Sequence, residues 1–217
     1  MTPTLLAQRD PDAWVKGAVE QLAEYGFVLD SDPRLPSWPA MVVEEPIKGS
    51  WWSHRKAHLI FQIGSRFLEH PDVLHVVLVS GKGTCVHRRL GAALLAVALA
   101  DESWKFASLG SAERALLRRV RKETRLFADE EDMPTLDVRR NGLLMRDLER
   151  RLLCAGGSVH TAHGSHAKYV TTWEAWMAEH SLRAPRISVE TGKRRLDEAL
   201  ESLNQRFRGR GTLPWWP

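Results

Sequence analysis

Apolar residues recur along the chain at two different spacings, which together predict a mostly helical protein with short β-hairpins. Spacings of three and four residues predict amphipathic helices over residues 11–29, 54–69 and 188–206. A run rich in alanine and leucine over residues 90–100 is apolar on nearly every side, which predicts a buried helix. Alternation over residues 73–87, on either side of a glycine-rich turn, predicts a hairpin. Several prolines predict that residues 30–50 form loops.

Residues 109–173 carry two further amphipathic helices and then a second hairpin pattern. Ser111 is the predicted N-cap of the first helix. A strand from Ser158, a turn at residues 163–165 and a returning strand through Tyr169 follow the second helix. The second helix has an apolar stripe of leucines, namely Leu144, Leu148 and Leu152. Helices followed by a hairpin are typical of a winged helix-turn-helix, which places one helix in the major groove of DNA.

The helix–hairpin–helix order of residues 54–100 resembles this later part of the chain. The fold class that we predict is therefore α+β, mostly helical, with tandem winged-helix-like modules and short β-hairpins. We expect three segments: an N-terminal helix–hairpin–helix module at 1–105, a winged helix-turn-helix at 106–180, and a C-terminal helix with a basic, aromatic tail at 181–217.

Composition adds a charge balance and a cellular setting to this picture. The chain has 217 residues and a net charge of +4, and its isoelectric point of about 9.3 fits a polyanionic partner. Cys85 and Cys154 lie far apart, which favours a reducing compartment over a disulfide framework. Neither a membrane span nor a signal peptide is indicated, so we expect a cytoplasmic, nucleoid-associated protein that does not bind membranes.

Residues 46–54 place an amine, a glycine, two indoles and an imidazole in a loop ahead of a helix. Apolar rings near an amine disfavour its charged form, and a neutral lysine attacks an aldehyde to form a Schiff base. Lys48 is therefore the candidate nucleophile and His54 its candidate partner in proton transfer. Trp51 and Trp52 would stack on bases or fill a gap in the base stack. The alternative is a surface lysine beside two core tryptophans.

Further basic side chains are candidate DNA contacts. Lys82 sits in the glycine-rich turn, where it would face a phosphate or simply occupy a hairpin tip. Arginines on the second helix suit guanine edges and phosphates, although Asp147 and Glu149 could pair with them. The set is completed by residues of the two hairpin regions and of that helix: His87, Arg88, Arg146, Arg150, His166 and Lys168.

Three histidines, at positions 160, 163 and 166, raise the question of a metal site. No cysteine or carboxylate accompanies them at a fixed spacing, and the chain has no His-Glu-x-x-His motif. The sequence therefore predicts contact with the phosphodiester backbone here, with no metal and no cofactor.

Three stretches together resemble an uncharacterised bacterial group: Pro-Ile-Lys-Gly-Ser-Trp-Trp-Ser-His at 46–54, the hairpin with Val-His-Arg at 77–89, and Val-His-Thr through Trp-Glu-Ala-Trp at 159–176. The layout is also similar to that of the AlkZ-like winged-helix DNA glycosylases. That resemblance implies tandem winged modules and excision of alkylated or cross-linked bases. The Gln-x-Gln catalytic pair of that family is absent, because Gln8, Gln21, Gln62 and Gln205 form no such pair. No catalytic residue is carried over.

The leading hypothesis is a repair enzyme that acts on damaged or abasic double-stranded DNA, as a DNA glycosylase or abasic-site lyase that uses a lysine Schiff base. The first alternative is a non-enzymatic winged-helix protein, either a transcription regulator or an architectural DNA-binding protein. The second is a protein-interaction domain, for which DNA affinity would not depend on salt.

Overall fold

A computed structural model describes residues 10–129, 133, 137–160 and 166–216, without the side chains of residues 159, 160 and 166. The fold is α+β, with more helix than strand and two three-stranded antiparallel sheets. Within the described residues, every helix is too short or too polar to cross a membrane.

The first sheet lies in the N-terminal half of the chain, and its central strand is the last of the three in sequence. Val28 and His75 both pair with Cys85 of this central strand. The elements are α1 (Pro11–Tyr25), β1 (Phe27–Leu29), α2 (Trp38–Val43), α3 (Ala57–Leu68), β2 (Val73–Val77) and β3 (Gly83–His87).

One prediction for this half was wrong. The helix expected over residues 11–29 ends at Tyr25, because Gly26 adopts a φ of +81° and closes the last turn onto the carbonyl of Leu22. The next three residues form the buried strand β1. The loop region 30–50 contains the short helix α2, with Pro39 in its first turn, where proline is tolerated. The hairpin predicted over residues 73–87 is confirmed by β2 and β3.

The second sheet repeats the strand order of the first, with β6 between β4 and β5. The predicted buried helix and the predicted last helix are confirmed by α4 and α9. The elements are α4 (Gly91–Ala98), α5 (Ser103–Phe106), α6 (Ser111–Glu123), β4 (Arg125–Phe127), α7 (Val138–Arg150), β5 (Ala155–His160), β6 (His166–Thr171), α8 (Trp173–Glu179) and α9 (Val189–Phe207).

The ends of the helices in this half differ from those expected. The N-cap of α6 is Gly110, and Ser111 is already the first helical residue. Helix α7 ends at Arg150, so the expected stripe residue Leu152 is buried in the following turn, with a φ of +52°. The turn predicted at residues 163–165 lies outside the described residues.

Among the described residues, apolar side chains form three buried clusters. One lies between the first sheet, α4 and α9, and reaches Trp176 and Leu213, so it draws on all three of the predicted segments. The second fills the space between the opposite face of that sheet and helices α1 to α3. The third lies among α6, α7 and the second sheet. The segment boundaries at residues 105 and 180 stay a prediction.

The aromatic C-terminal tail is docked on α9. The indole nitrogens of Trp215 and Trp216 both donate to Oδ1 of Asp197, at 2.9 and 2.6 Å. Before them, the backbone N–H of Ser80 donates to the carbonyl of Thr212 at 2.8 Å, and the N–H of Thr212 donates to Oγ of Ser80 at 3.2 Å. The tail thereby holds the tip of the first hairpin.

A buried lysine joins the two halves. Lys105 is 1% exposed, and its ammonium donates to the carbonyls of Val97 and Ala98 at 2.7 Å each and to that of Leu152 at 3.5 Å. The first two acceptors lie in the last turn of α4, where a cation is favourable. Burial lowers the pKa of Lys105 to about 8.

Candidate functional site

A cleft of about 410 Å³ opens beside α2 and brings several of the predicted residues together. Lys48 and Trp51 lie on the loop that follows α2, and Lys82 lies at the end of the first hairpin turn. The carboxylates of Asp30 and Asp32 come from the segment after β1. The remaining lining residues are Ser31, Pro33, Ser37, Pro39, Pro46, Ile47 and Gly49.

The two tryptophans of the loop form an exposed aromatic step at this cleft. Their rings stack at 3.9 Å between centroids, with planes 24° apart. Trp51 also packs edge-on against the core residue Trp38 at 5.6 Å, which anchors the pair to the protein. Trp52 is 55% exposed, and its ring lies 5.8 Å from that of Phe61 on α3, which is 41% exposed. Part of this aromatic step is therefore exposed to solvent.

Asp30 is held in the cleft by the side chains of His75 and Trp38. Its carboxylate lies 2.9 and 3.1 Å from Nε2 of His75, and the indole N–H of Trp38 donates to it at 3.0 Å. Burial raises the pKa of Asp30, but the charge of His75 and these hydrogen bonds lower it by more, so the pKa lies below its ordinary value. Burial likewise lowers the pKa of His75, and Asp30 raises it by more.

Gly83 makes room for this pair. A Cβ at position 83 would lie 1.8 Å from Oδ2 of Asp30 and 3.1 Å from Nε2 of His75, far inside van der Waals contact. The backbone N–H of Asp30 donates to the carbonyl of Gly83 at 2.9 Å. A glycine at this position is therefore part of the geometry of the site.

Asp32 and Lys82 form a second pair in the cleft, 2.8 Å apart. Burial raises the pKa of Asp32, but the hydrogen bond from Lys82 and those from the backbone N–H groups of Leu35 and Arg34 lower it by more. Lys82 is thus placed by a carboxylate, and its charge is largely offset within the cleft.

Cys85 lies next to His75 across β2 and β3, and it is buried as a free thiol. Burial, together with the nearby charge of Asp30, raises the pKa of its thiol well above the ordinary value. One ligand atom from each of Asp30, His75 and Cys85 lies within 4.8 Å of the other two.

His54 takes part in a separate ion cluster. Its Nε2 lies 3.5 Å from Glu45, and its Nδ1 accepts the backbone N–H of Lys56 at 3.2 Å. Arg55 and Lys56 contact the same carboxylate, at 3.2 and 3.3 Å. The described contacts of His54 thus lie with Glu45 and Lys56, whereas Lys48 is exposed at the rim of the cleft.

Three of the basic residues predicted to bind DNA make contacts within the protein. Arg88 donates to the carbonyls of Pro71 and His180, at 2.7 and 2.8 Å. Arg146 donates to the carbonyl of Gly81 at 3.0 Å, which ties α7 to the first hairpin. Lys168 is paired with the buried Glu149. Each of these cations has a structural role.

The remaining predicted DNA contacts have mixed environments. The imidazole of His87 accepts the backbone N–H of Arg89 at 3.2 Å and thereby caps the turn before α4. Arg150 is 53% exposed, lies 3.8 Å from Asp147 and packs beside Gly81. The side chains of His160, His163 and His166 lie outside the described part of the chain. The assignment of these residues to DNA stays a prediction.

Sequence reasoning missed Asp30, His75 and Cys85. Asp30 and His75 are 45 residues apart in the sequence, and the spacing of the three residues matches no motif. Only the pairing of three strands brings them together. Among the arginines of the second helix, sequence reasoning favoured Arg146 and Arg150 over Arg139 and Arg140, whose side chains are exposed in the first turn of α7. Their position at the start of an amphipathic helix was the signal available in the sequence.

Comparisons of the chain with protein-family models, with curated proteins and with solved structures find no match. The functional argument therefore rests on the chemistry of the site.

Proposed function

We propose that this protein binds damaged or abasic double-stranded DNA and processes the lesion at the cleft. The observation that carries the proposal is the position of Lys48 and Trp51 on one cleft, beside the exposed ring of Trp52. The cleft volume of about 410 Å³ is within the range of pockets that hold ligands larger than a nucleoside. An exposed aromatic step suits an unstacked base, because every base has a π-face.

The repeated strand order supports tandem winged-helix modules. In each half a helix precedes a hairpin, and the last strand of the sheet lies in its centre. In this proposal α3 and α7 are the helices that approach the DNA, and the start of a helix is the part that reaches base edges. Exposed side chains at those positions are His58 and Phe61 on α3, and Arg139 and Arg140 on α7.

The proposed chemistry uses the amine of Lys48. Its neutral nitrogen attacks the C1′ aldehyde of a ring-opened abasic sugar, a C–N bond forms, and water leaves to give an imine. Loss of a C2′ proton to a base then breaks the C3′–O bond and releases the 3′ phosphate. Asp32 lines the same cleft and offers a carboxylate for the proton transfer from C2′. The role predicted for His54 is less direct, since its ring faces Glu45.

Trapping with borohydride tests this proposal. The protein is mixed with a labelled duplex that contains one abasic site, and hydride reduces any imine to a stable amine that survives a denaturing gel. We expect a covalent band for the native chain and for Lys56→Ala, a neighbouring lysine used as the control, and none for Lys48→Ala. Absence of a band from the native chain, or an unchanged band in Lys48→Ala, would overturn the assignment of Lys48.

A second candidate is a protein that binds DNA without chemistry. The exposure of Lys48, Arg139 and Arg140 favours it, because exposed cations are ordinary partners of phosphate groups. Under this proposal the protein does not cleave the duplex that contains the abasic site, and its affinity for DNA falls steeply as the salt concentration rises. If affinity for duplex DNA does not depend on salt, both DNA proposals fail, and a protein-interaction domain becomes the better explanation.

A further inference from the structure

The first sheet gathers three different metal-ligating groups on one face. Asp30 follows β1, His75 lies in β2 and Cys85 lies opposite His75 in β3. A carboxylate oxygen, an imidazole nitrogen and a thiol sulfur thus lie within 4.8 Å of one another. We propose that these three residues bind one divalent transition-metal ion of the zinc class, with the fourth coordination position left to a ligand from outside the protein.

The distances require only small adjustments. Zinc binds oxygen and nitrogen at about 2.0–2.2 Å and sulfur at about 2.3 Å, and tetrahedral geometry then separates the ligand atoms by roughly 3.3–3.7 Å. The carboxylate of Asp30 and Nε2 of His75 now lie 2.9 Å apart, so they would move apart by about 0.4 Å. The Sγ of Cys85 lies no more than 4.8 Å from either atom, which is within about 1.5 Å of the separation that tetrahedral zinc requires.

The mixture of donors selects the class of metal. Thiolate and imidazole are ligands of zinc and its neighbours, whereas magnesium and calcium take oxygen ligands. Three protein ligands with one open position are typical of catalytic zinc sites. The indole N–H of Trp38 orients the carboxylate of Asp30 at 3.0 Å, which is the kind of outer contact that fixes a metal ligand.

Of the charged side chains near the three ligands, one opposes a bound cation and another favours it. Arg146 lies close enough to influence the charges of Asp30 and His75, and its guanidinium opposes a cation there. Glu149 acts on His75 with the opposite sign. Binding would release the thiol proton of Cys85 to solvent and would displace the hydrogen on Nε2 of His75 that now faces Asp30. A thiolate and a carboxylate, two anionic ligands, then offset the ion and Arg146.

Cobalt(II) titration of the metal-free full-length chain tests the site, because cobalt reports both thiolate ligation and tetrahedral geometry in its absorption spectrum. We expect a thiolate-to-cobalt charge-transfer band that saturates at one equivalent, and its loss when zinc is added, since zinc binds such sites more tightly than cobalt. This readout needs no DNA, so its outcome is independent of the proposed function.

Two cysteine variants provide a matched pair, because Cys85 and Cys154 are both buried free thiols. Cys85→Ser should abolish the charge-transfer band, and Cys154→Ser should keep it. His75→Gln should weaken cobalt affinity by at least about 10–100-fold, and circular dichroism checks that each variant is folded. If the native chain shows no such band at one equivalent, or if the band survives in Cys85→Ser, the proposed metal site is wrong.

Discussion

Substituting Gly83 by alanine tests the geometry of the Asp30–His75 pair. The new methyl carbon would lie 1.8 Å from Oδ2 and 2.6 Å from Cγ of Asp30. Ordinary contact begins at 3.4 Å, so the carboxylate must withdraw by about 1.6 Å. It is a short side chain held by His75 and Trp38, and such a displacement breaks its hydrogen bonds.

The expected cost combines two opposing effects. Overpacking costs about 1–3 kcal/mol, and loss of a hydrogen bond to a charged group costs about 1.5–3 kcal/mol. Replacement of glycine by alanine restricts the unfolded chain and returns about 0.4–1 kcal/mol. We therefore expect Gly83→Ala to lower the free energy of unfolding by about 2–5 kcal/mol.

Urea denaturation measures this difference, and Gly17→Ala is the matched control. Gly17 lies inside α1, and a Cβ there would meet no atom within 4 Å. The control should therefore be unchanged or more stable by about 0.5–1 kcal/mol. The pKa of His75 should fall in Gly83→Ala, because Asp30 raises it while burial lowers it. If Gly83→Ala unfolds at the same urea concentration as the native chain and the pKa of His75 is unchanged, Asp30 does not pack against Gly83.

Three further predictions concern charged groups. His75→Gln should cost the most stability between about pH 4 and 6.5. The contribution of the Asp30–His75 pair is lost as the pH rises through the raised pKa of His75 and also as it falls through the lowered pKa of Asp30; urea denaturation at several pH values checks this. Because the pKa of Lys105 falls from 10.5 to about 8, the unfolded chain binds more protons in that interval, so the native chain should gain up to about 3 kcal/mol as the pH rises through it. The same pH series for Lys105→Met should show no such rise. Arg146→Ala should destabilise the chain by about 1–3 kcal/mol, because the carbonyl of Gly81 loses its hydrogen-bond donor. Arg140→Ala should leave the stability unchanged and lower the slope of DNA affinity against salt concentration by the equivalent of about one phosphate contact. Urea denaturation measures the first effect, and DNA titration at several salt concentrations measures the second.

Much of the secondary structure could be predicted from local patterns. The hairpin of β2 and β3 has strong alternation around a glycine-rich turn, and α4 is apolar on nearly every side. Both patterns are local, so no distant contact is needed to recognise them. In contrast, β1 has three residues that are all buried, too few to show a period, and its partner lies more than 50 residues away in β3.

The residues of the site also divide into those with a local signal in the sequence and those that only the fold brings together. Lys48 and Trp51 share one loop, and their chemistry is visible in nine consecutive residues. Asp30 and His75 meet only because β1 and β2 flank the same strand. The partner of Arg146 could not be predicted either. A basic residue on an amphipathic helix can contact DNA or a carbonyl of a neighbouring hairpin, and only tertiary packing decides between them.

The two sheets share a strand order, but their hairpins have different surroundings. The tip of the first hairpin is held by Arg146 on one side and by Thr212 on the other, through three hydrogen bonds to Gly81 and Ser80. At about 0.5–1.5 kcal/mol each, these bonds oppose any movement of the tip by roughly 2–5 kcal/mol before apolar contacts are counted. A hairpin held in this way is a joint between the halves and is poorly placed to act as a mobile wing on DNA. In the proposed function, the first half therefore approaches DNA through α3 and the step formed by Trp51 and Trp52, of which Trp52 is 55% exposed.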